Sequence, residues 1–282
     1  MRTLPLLLVA ALLATGCDVI SPPYTEENPS DTDTSGVFAQ KVLLEDYTGF
    51  RCGNCPEAHE RAQELQALYP GRVILMSVHA GFFARPTAPP YAYDFRNPVA
   101  TELDNFFGIS RAGNPNGMVN RRGYPGNHIL APTAWAGAVA EALQGSAPVA
   151  LSLEARLDTT RWELTITARL RYRERGAPDH YLALYVVEDS IVQYQLDYRR
   201  TPPDIPDYVH RFVLRDGILG AWGEQLHPEG AAAGDSLSRT YRYRFPREKD
   251  WRPQHCGIIG IVHRYGTTYE VVQAEYVPFV LQ

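Results

Sequence analysis

The feature that most constrains this chain is a pair of cysteines, Cys52-Gly53-Asn54-Cys55, set between an apolar run and an amphipathic segment. Upstream, Val42-Leu43-Leu44 is apolar on consecutive positions, as in a strand covered on both faces. Downstream, Ala58, Ala62, Leu65 and Tyr69 recur at helical spacing within Glu57 to Tyr69, and Pro70-Gly71 ends the stripe. Arg72 to His79 then reads as a second buried strand. The order strand, cysteine pair, helix, strand is therefore predicted. In that order Cys52 falls at a helix start, where unpaired N–H groups and the macrodipole favour a thiolate, and Cys55 falls one turn further in.

This arrangement resembles the thioredoxin superfamily. The resemblance implies that Cys52 attacks and Cys55 resolves, that Asp46, six residues before Cys52, is a buried acid behind the pair, and that Pro115 in Gly113-Asn114-Pro115 is a cis-proline facing the disulfide. A second helix is expected around Pro98 to Phe107, a strand over Gly117 to Arg121, and a closing helix over Pro132 to Leu143 with Ala134, Ala138 and Leu143 on its apolar side. Two other readings of the cysteines stay open. One is a structural disulfide, since an exported pair can stay oxidised. The other is a zinc site that would recruit His59 and Cys256, although no second CxxC or HxxxH accompanies them. His59 itself is expected to be a solvated helix residue. The aromatic, Pro-stiffened stretch from Ala80 to Asn97 is read as packing onto its own domain.

Near Ala147 the periodicity changes to two. Val149, Leu151, Leu153, Ala155 and Leu157 alternate, Asp158 to Arg161 turns, and Trp162, Leu164, Ile166, Ala168, Leu170 and Tyr172 alternate again. Further strand-like runs are Tyr181 to Val187, Tyr208 to Leu214, Tyr241 to Phe245, Gly257 to His263 and Tyr269 to Tyr276. The expected fold class is an α/β thioredoxin-like domain over residues 37–146, followed by an all-β immunoglobulin-like sandwich domain over 147–282. Cys256 is expected to be a buried free thiol. The Pro-rich stretch from Tyr194 to Tyr208 is read as a solvated connection, and His210 as structural.

The first 36 residues carry an address. Arg2 gives a positive start, Leu4 to Leu13 is apolar but too short to span a bilayer, and Ala14-Thr15-Gly16-Cys17 resembles the lipobox of bacterial lipoproteins. That resemblance implies a signal peptide over 1–16, lipidation at Cys17 and a disordered tether over 17–36 that is polar, acidic and Pro-bearing. The formal charge of −5, from 27 Lys+Arg against 32 Asp+Glu, gives no electrostatic reason to bind nucleic acid.

Taken together, Thr48-Gly49-Phe50-Arg51-Cys52-Gly53-Asn54-Cys55-Pro56, Val119-Asn120-Arg121 and Glu270-Val271-Val272-Gln273-Ala274 resemble the twenty-eight-kilodalton outer-membrane-protein-related family. This implies an envelope lipoprotein and leaves the activity open. One expectation is a membrane-anchored thiol-disulfide oxidoreductase acting on protein thiol or disulfide partners, with Cys52, Cys55, Asp46 and Pro115 at its site. The alternative is a non-enzymatic, complex-forming lipoprotein in which the disulfide is a staple. No cofactor, metal or nucleic acid is called for, since no phosphate loop, HExxH or GxSxG is present.

Overall fold

A computed structural model describes residues 37–282. The leader, Cys17 and the tether lie outside the described residues. In chain order the elements are β1 (Val42–Thr48), α1 (Cys55–Leu68), β2 (Val73–His79), α2 (Pro98–Phe107), α3 (Ile109–Ala112), β3 (Asn116–Val119) and α4 (Pro132–Ala142). There follow β4 (Val149–Asp158), β5 (Glu163–Tyr172), β6 (His180–Glu188), β7 (Ile191–Leu196), β8 (Asp204–His210), β9 (Val213–Gly217), β10 (Glu224–Gln225), β11 (Ser236–Arg244), β12 (Cys256–Arg264), β13 (Val271–Pro278) and β14 (Val280–Leu281).

Ser35–Gln282 is one unit, and its backbone is a mixed eight-stranded sheet in the order β13-β12-β6-β9-β2-β1-β3, with β10 paired to β6. The strands β1 and β2 run parallel, with Val42 opposite Val73 and Thr48 opposite His79. They join the later strands at one place: Ser77 of β2 pairs with Val213 of β9, and the Ser77 N–H donates to the Phe212 carbonyl at 2.9 Å. A four-stranded sheet, β11-β5-β4-β14, and a separate two-stranded hairpin, β7-β8, complete the structure.

The expected fold class is corrected here. The chain is mostly β with few helices. Strands from both halves share one sheet, so an α/β thioredoxin-like domain followed by a separate immunoglobulin-like sandwich does not describe it. The physical reason is legible in β6. Its side chains alternate between faces, and both faces are apolar. Ala183, Tyr185 and Val187 enter one core with Leu43, Met76, Leu103 and Ile259. Leu182, Leu184 and Val186 enter another, shared with Leu151, Leu157, Ile166 and Leu170 of β4 and β5. The same division in β12 sends Ile259 and Ile261 one way and Ile258 and Val262 the other. A strand buried on both faces belongs in the middle of a layered sheet, not on the outside of a sandwich.

A third core lies under α1 and α4, where Val42, Leu44, Val73 and Leu75 meet Ala58, Ala62, Leu65, Trp135 and Val139. The apolar side of α4 is Trp135, Val139 and Ala142, while Ala134 points to solvent. The indole wins because its area is large and its N–H donates to the Leu130 carbonyl at 3.1 Å. Beneath the first core, Arg121 and Glu45 form a fully buried bidentate pair, with Nε to Oε2 and Nη2 to Oε1 both at 2.9 Å. The loop that delivers Arg121 is fixed by Asn120, whose Oδ1 accepts from the Leu43 N–H at 2.8 Å.

Candidate functional site

The cysteine pair sits where β1 ends. Gly49 must be glycine here, because a Cβ would lie 2.3 Å from the carbonyl carbon of Phe83, a backbone atom. That close approach brings the segment after β2 onto the turn, and the Arg51 N–H donates to the Phe83 carbonyl at 3.2 Å. The turn closes with Cys52 N–H to Gly49 O at 2.9 Å and Cys55 N–H to Cys52 O at 3.1 Å. Cys52 and Cys55 are joined as a disulfide, with Cα atoms 5.4 Å apart. Helix α1 begins at Cys55, with Asn54 as its cap residue and Pro56 in the first turn, where a missing N–H costs nothing. Cys52 thus lies in the turn before the helix rather than in its first turn.

The sulfurs are covered. Cys52 is 3% exposed and Cys55 is fully buried. The turn is bound by the β7-β8 hairpin, where the sequence led us to expect an unpaired solvated connection. Leu196 N–H donates to Phe50 O at 2.9 Å, Tyr198 N–H to Gly53 O at 2.9 Å, and Gln195 Nε2 to Cys52 O at 3.1 Å. The ring of Tyr198 rests on Gly53, where an added Cβ would come within 2.5 Å of it. Further out, Arg199 grips both oxygens of Glu60 on α1 at 2.7 Å, and the Tyr91 hydroxyl donates to Asp204.

Below the turn lies a buried polar cluster. His59 is buried, not solvated: its Nε2 is 2.8 Å from Thr48 Oγ1 and 3.3 Å from Asp46 Oδ2, and its Nδ1 is 2.7 Å from the Tyr208 hydroxyl. Burial raises the Asp46 carboxyl to about 8 and lowers His59 to about 4. Near neutral pH the 3.3 Å approach therefore joins a carboxylic acid and an uncharged imidazole and is not an ion pair. His79 and His210 complete the cluster. Burial pushes His79 well down and His210 to about 3. His79 stacks on Phe95 with ring centres 4.4 Å apart, and His210 meets the same ring at 4.6 Å. A cavity of about 20 Å³ lies among Asp46, His59, His79, Tyr208 and His210.

Of the sequence-derived site residues, the structure brings Asp46, Cys52 and Cys55 onto one strand end and the turn that follows it. Pro115 follows a cis peptide bond and immediately precedes β3, which pairs Gly117 with Asp46 and Asn116 with Tyr47. Asn114 ties this loop to β1 by donating from Nδ2 to the Tyr47 carbonyl at 2.7 Å. Cys17 lies outside the described residues. A zinc site would need free ligands, but Cys52 and Cys55 are bonded to each other and both His59 nitrogens face protein groups. Among the described residues no group of three or more His, Cys, Asp or Glu is arranged to hold a metal, and no helix is long and apolar enough to cross a membrane. Cys256 is a buried free thiol at the start of β12.

Sequence reasoning missed Gln195, the cover role of Tyr198 and the tie from Tyr208. The run from Tyr208 to Leu214, expected as one strand, is broken in the structure. Phe212 adopts a left-handed φ of 46°, which ends β8 and lets β9 enter the main sheet in a new direction.

Comparison with known proteins places this architecture. The chain is similar in fold to HBP35 of Porphyromonas gingivalis, at 20% identity and a TM-score of 0.61, over 86% of this chain and 76% of that one. A protein from Agrobacterium tumefaciens matches at 15% identity and a TM-score of 0.51, over 85% of this chain and 94% of that one. A domain of the outer membrane lipoprotein Omp28 from Porphyromonas gingivalis aligns at 17% identity and a TM-score of 0.33, over 48% of this chain and 91% of that domain. No curated protein matches the chain. The likeness to HBP35 is one of fold and runs through both halves, in keeping with the shared sheet.

A family model described as outer membrane protein Omp28 matches residues 100–277, more than half of the chain. This is an outer membrane protein of the cell envelope. It belongs to the Omp28 family. The matched stretch includes Val119-Asn120-Arg121 and Glu270 to Ala274, and it begins after Cys52 and Cys55.

Proposed function

We propose that this chain is a non-enzymatic envelope lipoprotein that acts by binding a protein partner, and that Cys52–Cys55 is a structural disulfide. Lipid on Cys17 holds it at the membrane, and residues 18–36 link that anchor to the folded body. The observation that carries this reading is the burial of the pair, with its turn held by Leu196 N–H at the end of β7, Tyr198 N–H in the turn after it and Gln195 Nε2, which donate to the carbonyls of Phe50, Gly53 and Cys52. Thiol-disulfide exchange requires a thiolate to reach a sulfur in line with the bond, and Cys52 is 3% exposed.

The test is a Cys55→Ser variant expressed with its native leader and run on non-reducing gels. An oxidoreductase would leave Cys52 free to hold clients as mixed disulfides. The expected result is monomeric protein with no covalent adducts. Client complexes that vanish on reduction would overturn the reading in favour of a membrane-anchored thiol-disulfide oxidoreductase.

A further inference from the structure

The outer face of the four-stranded sheet carries a charge pattern that the chain as a whole does not. Residues i and i+2 of a strand face the same side. Leu151, Leu157, Ile166 and Leu170 turn inward, into the core shared with β6 and β12. Their neighbours turn outward in register. Arg171 stands between Ser236 and Ala150, and Arg169 between Ser238 and Ser152. Farther along, Arg242 and Arg244 of β11 share the face with Arg156 of β4. The carboxylates on this face are Glu154, Glu163 and Asp158, so arginines outnumber them, although acids exceed bases 32 to 27 in the whole chain. Glu154 is shared by Arg169 at 2.6 Å and Arg156 at 3.5 Å, and Glu163 takes Arg242 at 3.4 Å. Among the described residues no carboxylate comes within ion-pair distance of Arg171 or Arg244, and both are exposed.

One end of this face dips into a groove of about 610 Å³. Arg169 and Arg171 line it, together with the exposed Ser152, Ser236 and Ser238. A guanidinium presents its N–H donors in a fork that matches phosphate oxygens, and the serine hydroxyls beside it are further donors. Val37, 53% exposed, lines the same groove, so the chain enters its folded body beside these arginines. Residues 18–36 separate Val37 from Cys17, and a chain of that length spans at most about 70 Å.

We propose that this face and its groove bind the phosphate headgroups of anionic phospholipid in the bilayer that holds the Cys17 anchor. The proposal rests on the lipid-anchored reading above and goes beyond it by naming the side of the body that meets the membrane. The acyl anchor keeps headgroups at high effective concentration, so arginine contacts that are weak one by one hold the face down together. The inward side of the same sheet packs on β6 and β12. Contact through the outer face therefore leaves the eight-stranded sheet, with the cysteine turn at the end of β1, on the side away from the bilayer.

The experiment uses residues 17–282 with Cys17→Ala, so that no acyl chain contributes. The protein is floated with vesicles of pure phosphatidylcholine, or of phosphatidylcholine with about one-third phosphatidylglycerol. Binding is expected to the anionic vesicles alone and to be lost at ~0.5 M salt. Arg171→Glu with Arg244→Glu breaks no ion pair and is expected to weaken that binding at least ~10-fold. Arg85→Glu with Arg200→Glu changes the net charge equally at exposed positions off this face. It is expected to leave the binding within about threefold. Should the first pair not fold, Arg171→Gln with Arg244→Gln gives the same comparison. No binding to anionic vesicles, equal binding to both kinds, or equal loss in the two reversed pairs overturns the proposal. Failure here removes the headgroup surface, whereas the structural-disulfide reading is decided separately by the Cys55→Ser gel.

Discussion

Tyr208 of the hairpin and His59 of α1 meet at 2.7 Å, hydroxyl to Nδ1, across 149 residues of sequence. This contact ties the cover to the helix that Cys55 starts, and it holds His59 between Tyr208 on one nitrogen and Thr48 on the other. Removing the hydroxyl in Tyr208→Phe leaves a buried ring nitrogen without a partner. We expect a loss of about 1–2 kcal/mol in urea unfolding. Backbone amides of 194–205 should exchange faster, while those of β6 and β12 stay protected.

Asp46 makes stability depend on pH in a defined window. Its folded carboxyl lies at about 8, against about 3.9 in an unfolded chain. Between those values the folded state holds one proton more than the unfolded state, so stability falls as pH rises, by at most about 1.4 kcal/mol per pH unit. His59, at about 4, acts oppositely below its unfolded value of about 6.5, since the unfolded state then holds the extra proton. The Asp46→Asn variant isolates the first effect. Its stability relative to wild type should rise steadily from pH 4.5 to pH 8, measured by denaturant midpoints.

Two glycines of the cysteine turn should respond differently to a methyl group. At Gly49 the added Cβ meets Phe83 backbone at 2.3 Å, and backbone cannot step aside. Gly49→Ala should cost about 2–3 kcal/mol or prevent folding. At Gly53 the obstacle is the ring of Tyr198, a largely exposed side chain that swings away. Gly53→Ala should leave the thermal midpoint nearly unchanged and make the hairpin more susceptible to limited proteolysis. Equal destabilisation by the two would contradict this geometry.

The Arg121–Glu45 pair is wholly buried. Glu45→Ala should cost about 3–5 kcal/mol because it strands a guanidinium in the core, while a Glu45→Leu, Arg121→Met double replacement should recover most of that loss. A double-mutant cycle on denaturation free energies reads the coupling directly.

The disulfide closes a very short loop, so its effect on the unfolded chain is small. Cys52→Ala with Cys55→Ala should lower global stability by only about 2 kcal/mol. Hydrogen exchange should show the larger effect locally, in the hairpin whose acceptor carbonyls belong to that turn.

The first elements were readable because each carries its own pattern. The stripe Ala58, Ala62, Leu65 gave α1, and alternation from Val149 to Leu157 and from Trp162 to Tyr172 gave the β4-β5 hairpin. The shared sheet was not read. Leu182 to Val187 is as continuously apolar as Val42 to Leu44, but what covers each face is supplied by distant segments. Within the candidate site, the cysteines and Asp46 stood out by type and spacing. The cover did not, because residues 191–210 are polar and Pro-bearing and act through backbone donors and single hydrogen bonds, which leave no periodic trace. His59 looked solvated for the same reason: the residue that encloses it, Tyr208, arrives from far along the chain.

The junction between Ser77 and Val213 has a consequence for how the molecule is made. On the outer rim of β2 the Ser77 position stays unmatched until the ribosome has added more than half of the remaining polypeptide. An early stop anywhere before Val213 leaves that rim as a template for another chain.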